Sequence, residues 1–245
     1  MSTHAPDDFV PSDLYDQAYF GGGRPDGYAD YASSERVVKV EFRRHLNRLK
    51  PHLKHGDRLL ELGSAYGYFL DVASRNYEVR GVDVSTHAAS VCRVRGHSVF
   101  CGPLEEAGFE PGSFQGAVLL DCLEHIPNPM RVLQTLHRLL SSDGVLFLTT
   151  GNHDALLSRL MGKRWRLMTP PQHLYFFSSR TLRKMVTTAG FRVLDSRSHW
   201  KRVPVGLAAY QVARAGLRIR ALERLAHIGI PVNLFDTLQM LAVKK

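Results

Sequence analysis

Apolar and polar positions along the chain follow two rhythms. Val38, Phe42, Leu46 and Leu49 recur at helical spacing while Arg36, Lys39 and Arg43 fall on other faces, which predicts a helix packed by one stripe. Ser33 and Ser34 offer its N-cap. Beyond it, short apolar runs alternate with helical patterns: a strand over Arg58–Leu62, a glycine-containing turn, a helix over about Tyr68–Ser74, a strand over Tyr77–Asp83 and a helix opened by Ser85. Further strands are predicted at His97–Cys101, Gln115–Asp121 and Gly144–Thr150, with Asn128 and Pro129 capping the helix that carries Leu133, Leu136 and Leu140. Ser178 caps a helix ending at Gly190, and strands at Phe191–Ser196 and Asp236–Val243 complete the pattern. Alternation of this kind builds a mostly parallel α/β sheet, doubly wound with helices on both faces, and places ligands beyond the carboxyl ends of the strands.

Composition narrows the class without changing it. The 245 residues, 44% apolar and 22% charged, suffice for one substantial core. No stretch of about 18 apolar residues occurs, so a membrane span is not expected, and the acidic, polar opening does not read as a signal peptide. Cys92, Cys101 and Cys122 form no CxxC pair, which fits buried thiols in a reducing cytoplasm and argues against structural zinc. Charge is divided unevenly: residues 1–150 carry 15 Lys+Arg against 19 Asp+Glu, whereas residues 151–245 carry 17 against 4. The basic part is either a solvated face or an attractor for an anionic acceptor, nucleic acid or lipid.

The most informative segment is Leu59–Leu70, an apolar strand that ends in Glu61 and a turn of small residues. Gly63, Ala65 and Gly67 let a ligand approach the backbone, and Asp83 ends the next strand with a carboxylate placed to accept from ribose hydroxyls. A dinucleotide fingerprint starting at Gly63 needs glycines where Ala65 and Tyr68 stand, which disfavours NAD. Glu61 would repel a pyrophosphate but suits the ammonium of a methionine tail, so S-adenosylmethionine is the expected cofactor.

At these residues, and through Gly112-Ser-Phe-Gln, Asp121-Cys-Leu-Glu-His125, Asp143-Gly144, Thr149-Thr-Gly-Asn152 and Pro170-Pro-Gln-His-Leu174, the chain resembles the class I methyltransferases. Within them it is similar to the branch of ubiquinone-biosynthesis O-methyltransferases and natural-product and sugar methyltransferases, over about residues 58–196. The resemblance implies a seven-stranded Rossmann-like sheet with an antiparallel last strand. It also implies that Glu61, Gly63 and Gly67 line the methionine and ribose, Asp83 the ribose, Val84 and Leu104 the adenine, and that Asp121 and Cys122 sit beside the sulfonium. Two positions depart from the pattern: Ala65 replaces a turn glycine, and Pro103 replaces an acid that meets the adenine amino group, leaving that task to Glu105 or main chain. The leader's Tyr15, Tyr19, Phe20 and Tyr28 resemble an aromatic segment that folds over the cofactor, with Tyr19 and Tyr28 the expected contacts.

Four regions follow: an aromatic cap (1–34), the cofactor-binding domain (35–196), a helical lid (197–235) and a last strand (236–245). The lid carries Arg214, Arg218, Arg220 and Arg224; a membrane-surface helix is its rival reading, but Arg214 and Arg218 fall beside Leu207 and Leu225, so its faces do not separate. The expected activity is transfer of a methyl group to an oxygen or nitrogen of a small-molecule, glycan or natural-product acceptor, with weak membrane-surface association and a homodimer both compatible. The competing readings are an RNA or protein methyltransferase and a binding protein without catalysis. Against the nucleic-acid reading, Asp121-Cys-Leu-Glu stands where amino-directed enzymes carry an N/D-P-P-Y/F segment, and no RNA-binding module is recognisable. Methyl transfer needs alignment and a proton acceptor, and His173 and His125 are the candidate bases, His173 first, because both follow strand ends. No metal is expected; the alternative, implied by the resemblance to ubiquinone-type enzymes with an E-x-x-E-H segment, is a divalent cation on Asp121, Glu124 and His125.

Overall fold

The computed structural model describes residues 14–22, 30–165, 167–170, 172–198, 201–204, 229–232 and 235–245. The described strands are β1 (Arg58–Leu62), β2 (Glu78–Asp83), β3 (Val99–Cys101), β4 (Phe114–Leu120), β5 (Leu140–Gly151), β6 (Phe191–Ser198), β7 (Lys201–Pro204), β8 (Gly229–Val232) and β9 (Thr237–Lys244). Seven of them form one sheet in the order β3-β2-β1-β4-β5-β9-β6. Pairing is parallel from β3 through β5, while β9 runs antiparallel to both β5 and β6. The expected sheet, with its reversed last strand, is therefore the one observed. Chain order reverses between β1 and β4, and the crevice at their carboxyl ends is the ligand position such sheets favour.

The described α-helices are α1 (Gln17–Phe20), α2 (Glu35–Leu49), α3 (Tyr68–Ala73), α4 (Thr86–Val94), α5 (Pro129–Leu139), α6 (Leu156–Met161) and α7 (Ser179–Thr188). Side-chain alternation along the strands divides the core. Leu60, Leu62, Leu119, Leu146, Leu148 and Met240 pack with Leu133, Leu136 and Leu182, whereas Leu59, Val118, Phe147 and Leu241 pack with Leu46, Phe69 and Leu70. Each such buried side chain contributes about 1.5–3 kcal/mol. Glu61 shares the second face, so the sheet itself carries a carboxylate into the interior at its carboxyl edge.

Start and stop signals hold where a side chain caps. Ser85 accepts from Ala88 N–H, Asn128 from Arg131 N–H, and Ser178 forms a reciprocal capping box with Thr181. The cap of α2 differs: a 3-10 turn over Ala32–Ser34 precedes it, and both serine hydroxyls donate back to the Asp30 carbonyl instead of capping the helix. The stripe of α2 is also rotated. Val37, Glu41, His45, Leu46 and Leu49 are buried and Val38 and Phe42 only half so, because a polar pair, Glu41 with His45, occupies inward positions that apolar spacing cannot reveal. β5 begins at Leu140, ahead of the strand expected from Gly144, and carries a register shift against β4, with Asp143 at φ 61°. The insertion expected as a helical lid opens and closes as a two-stranded ribbon, β7 against β8; residues 205–228, with the four arginines, lie outside the described residues.

Candidate active site

The turn after β1 wraps around the end of β2. Gly63 N–H and Ser64 N–H both donate to the Val82 carbonyl, at 2.8 and 3.3 Å, and Gly63 adopts φ 81°. A Cβ at Gly63 would stand 2.8 Å from Cys122 Sγ, so the turns after β1 and β4 cross in van der Waals contact and only glycine fits. Ala65, also left-handed at φ 45°, donates its N–H to Asp83 Oδ2 at 2.8 Å, and Ser85 N–H reaches Asp83 Oδ1 at 2.9 Å. Asp83 thus clamps both turns. Burial raises its pKa to about 6 against the pull of those two N–H groups.

Glu61 is an electrostatic anomaly. It is 3% exposed, its Oε2 has no hydrogen-bond partner, and burial, with Asp83 and then Asp71 nearby, pushes its pKa well above the usual carboxylate range. A buried carboxylate without a counter-charge is costly. It lines a cavity of about 510 Å³ together with Gly63, Ala65, Asp83, Val84, Leu104, Asp121, Cys122, Tyr19 and His125. That size suits a nucleoside-linked amino acid. The orphan oxygen is what the ammonium of the expected cofactor would satisfy, so the residues fit that group.

The third wall is the turn after β4. Asp121 holds φ 49°, its N–H donates to the Thr149 carbonyl and hydroxyl, and Thr149 Oγ1 returns a bond to Asp121 Oδ1 at 2.9 Å. Thr149 of β5 thereby holds a strained residue at the cavity wall. Cys122 follows, a thiol kept neutral by burial and by the acids around it, Glu124 first. His125 also lines the cavity, with Nδ1 donating to the Gln172 carbonyl at 3.0 Å; burial lowers its pKa, leaving a neutral ring.

Above these turns lies the aromatic leader. Tyr15, Tyr19, Phe20 and Tyr31 line the cavity, and Tyr15 meets the His125 ring edge-on at 5.9 Å. The Tyr15 hydroxyl is buried without a partner, and burial foremost raises its pKa, so it remains a donor. The Tyr15 carbonyl accepts from Ser85 Oγ, which ties the leader to the α4 cap.

Of the cofactor residues expected from sequence, Glu61, Gly63, Ala65, Asp83, Val84, Leu104, Asp121, Cys122 and Tyr19 converge on this cavity. Gly67 does not line it: at φ 76° it ends the turn, and a Cβ there would meet His97 and Cys92, so it serves the backbone and packing. Tyr28 lies outside the described residues. Glu105 and Pro103 line the cavity, Glu105 with Arg131 at 3.5 Å. His173 stands behind His125, rings 4.6 Å apart, with Nδ1 donating to the Leu167 carbonyl at 2.6 Å and a pKa pushed down to about 4 by burial and by His125. It does not line the cavity. The proposed metal set also differs: ligand atoms of Glu124, His125 and His173 lie within 4.8 Å of one another, while Asp121 belongs to Thr149. Tyr15 was expected in the aromatic segment over the cofactor, though not as a contact; Tyr31 and Gln172 were not singled out as site residues by the sequence, and only the density of leader tyrosines hinted at Tyr31.

Among the described residues no helix is long and apolar enough to cross a membrane. Similarity to known proteins covers the same segments. Ubiquinone biosynthesis O-methyltransferase of Pseudomonas aeruginosa (strain LESB58) is 29% identical over 134 residues, covering 50% of this chain and 57% of that protein, so the chain spans just over half the length of that relative. A SAM-dependent methyltransferase of Thermotoga maritima, described as a possible histamine N-methyltransferase, superposes with a TM-score of 0.58 at 20% identity, covering 88% of this chain and 100% of its own. A Haloferax volcanii methyltransferase structure, in complex with its Trm112 activator, gives 0.64 at 17% identity over 92% and 96%. At such identities the structures support the fold alone. Residues 34–196 match the family model for the methyltransferase domain, two-thirds of the chain with every cavity wall except the aromatic leader, and the chain belongs to that family.

Proposed function

We propose that this chain binds S-adenosylmethionine and transfers its methyl group to an oxygen or nitrogen of a small-molecule, glycan or natural-product acceptor. One observation carries the reading: Glu61, a buried carboxylate with an unpartnered oxygen, lies in the switch-point cavity beside an aspartate that clamps two turns. When bound, S-adenosylmethionine supplies a methyl carbon activated by a positive sulfur. Glu61 would receive its ammonium, Asp83 its ribose hydroxyls, and Val84 and Leu104 its adenine, with Asp121 and Cys122 at the wall nearest the methyl donor. Tyr15 and Tyr19 close the cavity from above, exclude water and leave a neutral phenol to orient the acceptor.

His125 takes the acceptor's proton. It is at the cavity, neutral near pH 7, and its Nδ1 bond to Gln172 puts the accepting lone pair on Nε2. His173 positions it by ring contact. Alignment supplies about 7–11 kcal/mol in favourable cases and a base about 10²–10⁴-fold. A second reading has an observation of its own. Both histidines direct Nδ1–H to main-chain carbonyls, the bracing that metal-bound imidazoles use, and Glu124 Oε2 is buried without a partner. Glu124, His125 and His173 would then hold a divalent cation that polarises the acceptor oxygen.

Calorimetry with S-adenosylmethionine, S-adenosylhomocysteine and NAD, beside an Asp83→Ala control, tests the cofactor. Binding of the first two, absent with NAD and lost in the control, supports the proposal; no affinity for either defeats it. Turnover of phenols, sugar nucleotides and lipid-linked glycans, with and without a chelator, then sorts the acceptor and the cation.

A further inference from the structure

We infer that the outer face of α6 and the basic turn after it dock on an anionic lipid surface. The segment leaves β5 at the cofactor edge of the sheet and is fixed at both ends. At its start the buried Ser158 donates its hydroxyl to the His153 carbonyl at 2.6 Å. At its far end the buried Trp165 indole donates to the Asp236 carboxylate at 3.1 Å. A helix so anchored would be expected to show polar residues outward. Instead Leu156 is 73% exposed, Leu160 77% and Met161 40%, the two leucines one turn apart on one face.

A further exposed apolar residue sits at the same edge. Phe235 is 62% exposed and holds φ 56°, a left-handed conformation that costs a bulky residue energy. Its carbonyl accepts from Asn152 Nδ2 at 3.1 Å and from Ser198 Oγ at 3.3 Å, and Asn152 N–H reaches the Asp236 carbonyl at 2.8 Å. These bonds join the Phe235 turn to the residues that launch α6, so the apolar groups belong to one end of β5 and β9.

Charge chooses the occupant. Exposed Arg159, Lys163 and Arg164 are interleaved with the apolar residues; of the acids nearby, Asp154 is paired with Arg159, and Asp236 is buried and accepts from the Trp165 indole. The whole part from residue 151 carries 17 Lys+Arg against 4 Asp+Glu. Exposed leucine and methionine edged by cations are what an acidic bilayer surface binds: side chains enter the acyl boundary while the cations meet headgroups. An acceptor held in or on a bilayer would thereby be presented at the cofactor edge of the sheet.

The test is co-sedimentation of the full chain with vesicles of phosphatidylcholine alone or with about one-third phosphatidylglycerol, in about 0.1 M salt. Acidic vesicles should bind at least about tenfold better than neutral ones. Leu156→Ser with Leu160→Ser should lower that binding about tenfold or more, without changing the melting temperature, because both side chains are already in water. Lys163→Glu with Arg164→Glu should lower it similarly. Binding to acidic vesicles that the leucine pair leaves unchanged, and that about 0.5 M salt abolishes, would reduce the effect to diffuse charge and overturn the proposal. No binding to either vesicle, or a leucine-pair defect seen only in association with another protein, would overturn it too. None of these readouts depends on cofactor binding, so the proposal stands or falls apart from the methyl-transfer reading.

Discussion

The two ends of the site are built by opposite means. On the cofactor side, the turns after β1 and β2 are bound to each other through Gly63 N–H to the Val82 carbonyl and Ala65 N–H to the Asp83 carboxylate, and the turn after β4 is bound to β5 through Asp121 N–H to Thr149. On the side proposed for the acceptor, the segment between β5 and α7 is long, and its described bonds to the rest go to partners scattered along the chain. Glu124 O accepts from Leu174 and Tyr175, and Gln172 O and Leu167 O hold the two histidines. The first side is specified by strand ends, which tolerate little change; the second by contacts that each chain can redraw. A fold that reuses one cofactor for many acceptors needs this division.

The sharpest way to break the comparison is at the residue where the sides meet. His125→Ala should lower kcat about 10²–10⁴-fold while leaving S-adenosylhomocysteine affinity within about threefold. The same change at His173 should cost about tenfold, since that ring acts through its neighbour. Equal losses, both recovered by added divalent cation, would instead favour the Glu124–His125–His173 metal set. With His125 held neutral, the acid limb of the kcat profile should fall below the ordinary imidazole value of 6.5.

Glu61→Gln comes next, and its two readouts move in opposite directions. Removing a buried unpaired carboxylate should raise the melting temperature of the ligand-free protein. Losing the charge that meets the ammonium should weaken S-adenosylmethionine about 100-fold by calorimetry. A variant that lost stability and kept affinity would show that Glu61 belongs to the core and not to the ligand.

Legibility follows the same divide. The α/β order, the caps at Ser85, Asn128 and Ser178, and the convergence of Glu61, Gly63, Asp83 and Asp121 were readable because strands end where apolar runs end and each turn is local in sequence. What was unreadable depended on partners distant in the chain. Gln172 meets His125 across 47 residues, and Tyr15 reaches Ser85 across 70. The order of His173 and His125 was unreadable for that reason: both follow strand ends, and it is the folded loop that brings His125 to the cavity wall with His173 behind it. Glu41 and His45 were hidden in another way, since buried polar residues look like surface ones to a hydrophobic pattern.

Two glycines sharpen the division within the cofactor side. Gly63→Ala would put a Cβ 2.8 Å from Cys122 Sγ and should push that thiol toward the cavity, reducing cofactor affinity about tenfold. Gly67→Ala meets His97 and Cys92 at 3.0 and 3.1 Å and strains a left-handed residue, so about 1–2 kcal/mol of stability should be lost in denaturant titration. The folded fraction should still bind cofactor within about threefold of the parent, because Gly67 is not a cavity wall.

The smallest effect is a proton. In the ligand-free protein Glu61 holds its proton to a higher pH than an ordinary carboxyl, since burial, then Asp83 and Asp71, disfavour its charge. An ammonium placed against it reverses that preference and lowers the pKa. Binding must then release up to one proton wherever the ligand-free group is protonated and the bound group is not. The sign follows: affinity rises with pH through the window between the bound and ligand-free pKa values, by at most tenfold per unit, and levels off above it. Calorimetry at about pH 6 in two buffers of different ionisation enthalpy measures the released fraction directly. Asp83, at about 6, titrates in the same range, but Asp83→Asn should leave release from Glu61 in place, whereas Glu61→Gln should remove it. Uptake of a proton in place of release would mean that the ammonium does not sit at Glu61, and the cofactor side would then lose the contact that separates an amino acid from a phosphate.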